Sequence, residues 1–192
     1  MRHRRKGRTL GRSPSHQRAL LKNLASSLFL TERDADDDDN KPKVKGRIVT
    51  TVQKAKEVRP LVERCITLAR KTLPAQQEAQ KHGTTAARNT ETWKTWRKSE
   101  AYQKWNQAIA PVVNARRRAL QLLGDKQAVR ILFAEVAPRF TDRPGGYTRV
   151  LRLAKPRLGD AGTRAILEFV GVRDRVSQRA VRPTFEAAEA GK

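Results

Sequence analysis

Cysteine occurs once, at Cys65, so no disulfide can form within this chain, and a reducing compartment suits it. The thiol lies among Val62, Ile66 and Ala69, where a small buried hydrophobe fits; a reactive thiol would need a paired base, and none is near in sequence. His3, His16 and His82 are far apart and lack ligand-like spacing, so no zinc site can be argued from them. No uninterrupted run of about 18 apolar residues exists, which excludes a membrane-spanning helix. Hydrophobic residues make up 38% and mean hydropathy is -0.73, enough for a modest core that leaves part of the chain outside it.

Acids are the scarcest class relative to their opposites. Across 192 residues, 42 Lys and Arg face 19 Asp and Glu, a net charge of +23 and a pI near 11.3. A surface of that charge repels itself, so a polyanion is its natural complement: nucleic acid first, an anionic membrane surface second. The length fits one domain with elaborations.

The charge begins at once. "MRHRRKGRTLGR" holds six Arg or Lys, one His and no carboxylate. Ser13-Pro14 then reads as a helix entry, Ser as cap and Pro at the first helical position. Leu20, Leu21, Leu24, Ala25, Leu28 and Phe29 follow on one face, with Arg18, Lys22, Asn23, Ser26 and Ser27 on the other. Residues 34–45, "DADDDDNKPKVK", read as a solvated loop; contact with an ion or a basic partner is the alternative, although adjacent Asp residues lack the alternation of a calcium loop. "GRIVTTV" has the β-branched character of a strand over 47–51. The helix expected next carries Ala55, Val58, Val62, Cys65 and Ala69 three and four apart, with a kink or break expected at Pro60.

Residues 72–114 contain all three tryptophans and Tyr102. Trp93 and Trp96, like Tyr102 and Trp105, are helical neighbours. With Lys94, Arg97, Lys98 and Lys104 interleaved they form either a base-stacking surface or the packing that holds a helical insertion to the body, and packing is the preferred reading. Asp125 then caps a helix with Val129, Leu132, Phe133 and Val136 on its inner face, stopped near Pro138. Pro144-Gly145 suits the centre of a type II turn. Residues 147–154 and 163–170 read as antiparallel strands joined by about eight residues, and the remainder from about Asp174 as a mobile tail.

Catalysis needs a positioned base, nucleophile or metal in mutual reach. Ser15-His16 is a pair of adjacent residues at a helix entry, not a triad. Glu57, Glu63, Glu135 and Glu168 are scattered and read as surface charges. "RPGGY" has neither the spacing nor the lysine of a phosphate loop. The expectation is no enzyme and no cofactor.

For the opening arm three readings compete: an organelle address, a solvated tail, or a polyanion-binding segment. A removable address would not account for Arg116-Arg117-Arg118, Arg139, Arg143, Arg149, Arg152, Lys155 and Arg157 far downstream, so the polyanion reading is preferred. Arginine's planar fork binds phosphate bidentately and stacks on bases. Gly7 and Gly11 let the arm bend, and free backbone N–H groups at the Ser13 helix entry suit phosphate. Such an arm is expected to order on its partner.

Three ordered blocks also resemble a known family. "MRHRRKGRTLGRSPSHQRALLKNLASSL", "IVTTVQKAKEVRPLVERCITLAR" and "NARRRALQLLGDKQAVRILFAEVAPRFTDRPGGYTRVL" resemble bacterial-type large-subunit ribosomal protein seventeen, over residues 1–33, 46–71 and 115–173. The resemblance implies an α+β fold, helices packed on one side of a small mixed sheet, with an extended basic arm. It implies a structural role: binding large-subunit (23S-type) rRNA near the polypeptide exit, beside neighbouring large-subunit proteins, in a cytoplasmic ribosome, without membrane or small-molecule substrate. The rRNA contacts it points to are Arg2, His3, Arg4, Arg5, Lys6, Arg8 and Arg12 in the arm. Ser15, His16, Arg18 and Lys22 follow on the first helix, and Lys54 and Lys56 at the strand–helix junction. Arg139, Arg143, Gly145, Gly146, Tyr147, Thr148 and Arg149 complete the set in the closing motif, with Tyr147 equally placed to be core.

The domain plan is thus an arm at 1–12, a body at 13–173 interrupted at 34–45 and 72–114, and a tail at 174–192. Both interruptions and the tail depart from the compact family pattern, and 72–114 is expected to add a contact with RNA or a neighbouring protein. The alternative reading is a nucleoid-type protein that binds DNA nonspecifically; a matrix-targeted enzyme is a third.

Overall fold

The computed structural model describes residues 8–35 and 39–171. Helix α1 spans Pro14–Leu30, and Ser13 caps it as its sequence predicts: the side chain accepts from the His16 N–H at 3.2 Å. Its stripe of Ala25, Leu28 and Phe29 is fully buried. Strand β1 (Arg47–Thr51) leads straight into α2 (Val52–Arg70), the central helix, which packs on α1 and on all three strands. Val58, Val62, Cys65, Ile66 and Ala69 of α2 have no exposed surface. Burying one such aliphatic side chain stabilises the fold by about 1.5–3 kcal/mol. The break expected at Pro60 does not occur. The helix runs through it because Val58 and Val62, buried on either side, hold both halves in register while Pro60 faces solvent.

The 72–114 segment is helical. Helix α3 (Leu73–His82) lies against α5 (Glu100–Leu123), and α4 (Glu91–Lys98) joins them. The C-terminal half of α5 returns to the main core through Val112, Ala115, Ala119 and Leu123. Gly124 ends it with φ +79, a conformation open to glycine. Asp125 caps α6 (Lys126–Ile131), accepting from Gln127 N at 2.7 Å and Ala128 N at 3.2 Å. The helical run ends one residue past Pro138, close to the expected stop, after a π turn over Leu132–Val136 and a last helical turn, α7 (Ala137–Arg139). The wider π turn directly precedes the proline, whose ring nitrogen cannot donate the usual i→i−4 bond.

Strands β2 (Thr148–Arg152) and β3 (Arg164–Phe169) complete a sheet in the order β1-β3-β2. Both pairings are antiparallel, so the sheet is not mixed: β1 and β2 share a direction but are separated by β3. Ala165 and Leu167 point into the core, whereas Val49 and Leu151, both partners of Ile166, lie on the exposed face. The turn before β2 also differs from expectation. The positive φ belongs to Gly146, at +63, and not to Gly145, so Pro144-Gly145 does not form a type II turn. The architecture is α+β, and its tail at 174–192 lies outside the described residues.

Candidate nucleic-acid interface

Two basic surfaces emerge from this fold. The first is the root of the arm. Arg2, His3, Arg4, Arg5 and Lys6 lie outside the described residues, as does Gly7. From Arg8 onward the chain folds back on α1: the Gln17 side-chain amide donates to the Arg8 carbonyl at 2.7 Å, and Arg12 N donates to His16 Nδ1 at 3.2 Å. Gly11, with φ +82, makes the turn, and a Cβ there would stand 2.7 Å from His16 Nδ1. Because Nδ1 accepts, a neutral His16 carries its proton on Nε2, a donor suited to an anionic oxygen. Arg8 also reaches Glu57 of α2 at 3.6 Å. Arg12, Ser15, His16, Arg18 and Lys56 are exposed around this junction, and Lys22 and Lys54 are half-buried.

The second surface is an open groove of about 720 Å³ at the end of the sheet. Phe140 and Phe169 line its floor, which rests on a buried row of rings. Phe29 of α1 packs on Phe169 of β3 at 5.7 Å between centroids, Phe169 on Phe140 at 6.4 Å, and Phe140 on Tyr147 at 5.1 Å. These rings fix the relative positions of α1, the end of α7 and both later strands, and so place Arg139, Arg143 and Arg149 on the groove wall. Lys45 and Arg47 join them there. The sequence pattern puts Lys45 in a loop and Arg47 in a strand, and the signal that could mark them as part of a basic surface is two cations flanking Gly46.

Three carboxylates, Glu32, Asp142 and Glu168, share the groove with those five cations. Glu32 is 5% exposed and accepts two bonds from Arg139, at 2.8 and 2.7 Å. Those bonds, opposed by partial burial, hold the Arg139 guanidinium above its ordinary pKa. Gly46 closes over this pair. Its φ is +76, a Cβ would lie 2.8 Å from Glu32 Oε1, and its N–H donates to Thr31 Oγ1 at 3.0 Å. Arg149 donates to Glu168 at 2.6 Å across the β2–β3 pair, and Arg143 donates to the Gly145 carbonyl at 3.3 Å.

Two of the residues expected to meet RNA are placed elsewhere. Tyr147 is 1% exposed, with its ring packed on Phe140. Thr148 is buried and donates to Glu63 at 2.9 Å. Neither presents a surface to a partner; the core role is the one the fold assigns them. Gly145 and Gly146 are exposed, and nothing lies within 4 Å of where a Cβ would stand. The glutamates read as scattered surface charges also need correcting: Glu57, Glu63 and Glu168 each tie two elements together.

Among the described residues, no group of His, Cys, Asp or Glu could hold a metal ion, and no helix is long and apolar enough to cross a membrane. Burial pushes the Cys65 thiol up to about 12, with Arg64 opposing the shift, so the thiol stays protonated at neutral pH.

Comparison with known proteins gives one consistent picture. Residues 20–170 match the family described as Ribosomal protein L17. Large ribosomal subunit protein bL17 of Rhodopirellula baltica is 66% identical over 186 residues, spanning 97% of this chain and 89% of its own. The protein of the same name from Nitratidesulfovibrio vulgaris is 37% identical over 169 residues, covering 88% and 87%. That from Chlorobium chlorochromatii is 36% identical over 180 residues, covering 94% and 82%.

Proposed function

This chain belongs to the ribosomal protein L17 family, and from that membership we infer that it is a structural, non-catalytic constituent of the large ribosomal subunit. We further propose that it holds large-subunit rRNA near the polypeptide exit, beside neighbouring subunit proteins, in the cytoplasm of a bacterial cell. The arm at 1–12 enters the RNA, and the body at 13–173 supplies two anchoring surfaces.

The observation that carries the RNA reading is the convergence of Lys45, Arg47, Arg139, Arg143 and Arg149 on one open groove, although they come from three separate stretches of chain. Guanidinium groups held on a rigid wall lose little freedom on meeting a phosphate, and their forks take two oxygens at once. Arg139 engages Glu32 through both terminal nitrogens, so it offers RNA only its remaining N–H groups, whereas Arg143 donates through Nε to a neutral partner, the Gly145 carbonyl. Gly145 and Gly146, with no side chain beside them, let an RNA backbone approach the turn. At the arm's root, the segment from Arg8 to Ser13 folds back on α1 and places Arg12 beside it.

Each phosphate contact releases counterions, so an interface of roughly 6–10 contacts loses about 10³–10⁵ in affinity between about 50 and 200 mM salt when the protein binds nonspecifically. Shape-matched seating in a folded rRNA should resist such a wash. The test is co-sedimentation of the full chain with large subunits after a high-salt wash, followed by a density map of the particle. Retention, with the groove and arm against RNA, is the expected result. Stripping by salt would favour a nonspecific coat, and a map with both surfaces facing solvent would overturn the RNA-holding role.

A further inference from the structure

The helical segment between α3 and α5 holds a second, chemically different groove, of about 370 Å³, lined by Trp93, Trp96, Tyr102 and Trp105 with Arg88 and Arg97. Part of this aromatic set packs internally. Trp96 meets Tyr102 edge-on at 5.1 Å and Trp105 at 5.7 Å, and its indole N–H donates to the His82 carbonyl at 3.0 Å. Tyr102 stacks on Trp105 at 5.9 Å. These contacts pack the segment on itself and not on the main body, to which it is tied instead through Val112 and the C-terminal half of α5. Trp93 stands apart from them. Among the described residues its ring meets the Arg97 guanidinium, 5.0 Å from its centroid, and the same guanidinium lies 5.9 Å from the Tyr102 ring.

A flat, delocalised cation resting against two aromatic rings occupies the kind of space a nucleobase occupies, because both stack through the same π faces. The groove walls contribute cations without any carboxylate among the lining residues. Helix α4 carries Glu91, but that charge is taken up by Lys94 at 2.8 Å. A duplex buries its base faces in its own stack, so only an unpaired nucleotide can offer one to a protein ring. An apolar peptide would satisfy the rings but leave Arg88 and Arg97 without partners.

We propose that this groove captures one unstacked base of single-stranded RNA, which slides onto Trp93 in place of the Arg97 guanidinium, while Arg97 and Arg88 turn to the flanking phosphates. The site is separate from the sheet-end groove, and its occupancy does not depend on that groove meeting rRNA.

All three tryptophans of the chain line this groove, so the tryptophan emission of the full-length protein reports on it. The probes are a dodecamer of adenylate, a dodecamer of uridylate, an RNA duplex of equal length and inorganic polyphosphate, titrated at about 200 mM salt to suppress purely ionic binding. Both single strands should quench the emission saturably, adenylate more strongly, whereas duplex and polyphosphate leave it nearly unchanged. Trp93→Leu should weaken single-strand binding by about 5- to 150-fold, the range for loss of one base stack, with duplex binding and helix content by circular dichroism retained. Arg97→Gln, which leaves every ring in place, should weaken it by a smaller factor. Equal quenching by polyphosphate or duplex overturns the proposal. So does unaltered single-strand binding in a folded Trp93→Leu protein, or quenching by a proline-rich peptide in place of RNA.

Discussion

Removing the charge of Arg139 by Arg139→Met should destabilise the protein more than removing the charge of its partner by Glu32→Gln. The pair is geometrically symmetrical, with two bonds at 2.8 and 2.7 Å, but its surroundings are not: the Arg139 side chain is 41% exposed and that of Glu32 only 5%. Breaking a fully buried pair from one side costs about 3–5 kcal/mol, because the remaining charge is left without solvent or partner. Arg139→Met leaves a buried carboxylate, and the half-exposed pair scales the cost down to about 2–3 kcal/mol. Glu32→Gln leaves a guanidinium that can turn to water and still meet the amide oxygen, at a cost of about 1 kcal/mol. For a chain of this size, about 1 kcal/mol moves Tm by roughly 2–4 °C, so Arg139→Met should melt about 4–12 °C below the parent and Glu32→Gln about 2–4 °C below. Urea titrations followed by far-ultraviolet circular dichroism, with both single variants and the double variant, give the order and the coupling. The double variant should be more stable than Arg139→Met alone. If Glu32→Gln proves the costlier change, or if the two costs simply add, the buried carboxylate is not what the pair protects.

Gly46→Ala forces a side chain into φ +76 and against Glu32 Oε1 at 2.8 Å, so stability should fall by about 1–3 kcal/mol in the same titration; an unchanged midpoint would show that the turn relaxes. Arg47→Gln and Arg143→Gln should each weaken rRNA-fragment binding and flatten the log K against log salt line by close to one unit, whereas a variant that keeps the parent slope does not touch phosphate. Cys65 should resist alkylation in the folded state, with its labelling rate tracking unfolding. Since the folded thiol holds its proton from 9.0 up to about 12 while the unfolded one loses it, Cys65 lends stability that is full below that window and drains as pH rises through it.

What could be read without coordinates was local. Ser13-Pro14 and Asp125 announce helix starts because an N-cap acts on N–H groups two or three residues away, and the α1, α2 and α6 stripes repeat within one helical face. Strand existence was legible from β-branched runs, but the order β1-β3-β2 was not, since register depends on which distant partner completes the inner face. The glycine pair before β2 shows the same limit at small scale: either residue can adopt a positive φ, and the burial of Tyr147 decides between them. The sheet-end groove escaped notice because its cations come from chain positions about a hundred residues apart and meet only after Phe29, Phe140 and Phe169 pack.

The scarce carboxylates explain how so basic a chain keeps a compact body. Glu32 joins the end of α1 to α7, Glu57 joins α2 to the arm's root, Glu63 joins α2 to β2, and Glu168 joins β3 to β2. Each is placed where two elements meet, and each is at least partly sheltered from solvent, where a pair is screened less than on the open surface. The cations outnumber them so heavily that most remain on the outside, where repulsion costs little until a polyanion removes it. The two signs therefore have separable roles. Neutralising a cation outside these ties, such as Arg12 or Lys56, should weaken RNA binding and leave the melting temperature nearly unchanged or slightly raised. Neutralising Glu32, Glu63 or Glu168 should lower the melting temperature even without RNA present. A set of Glu→Gln variants that melted like the parent would mean that packing alone holds these elements together, and that the placement of the acids at the seams has no energetic consequence.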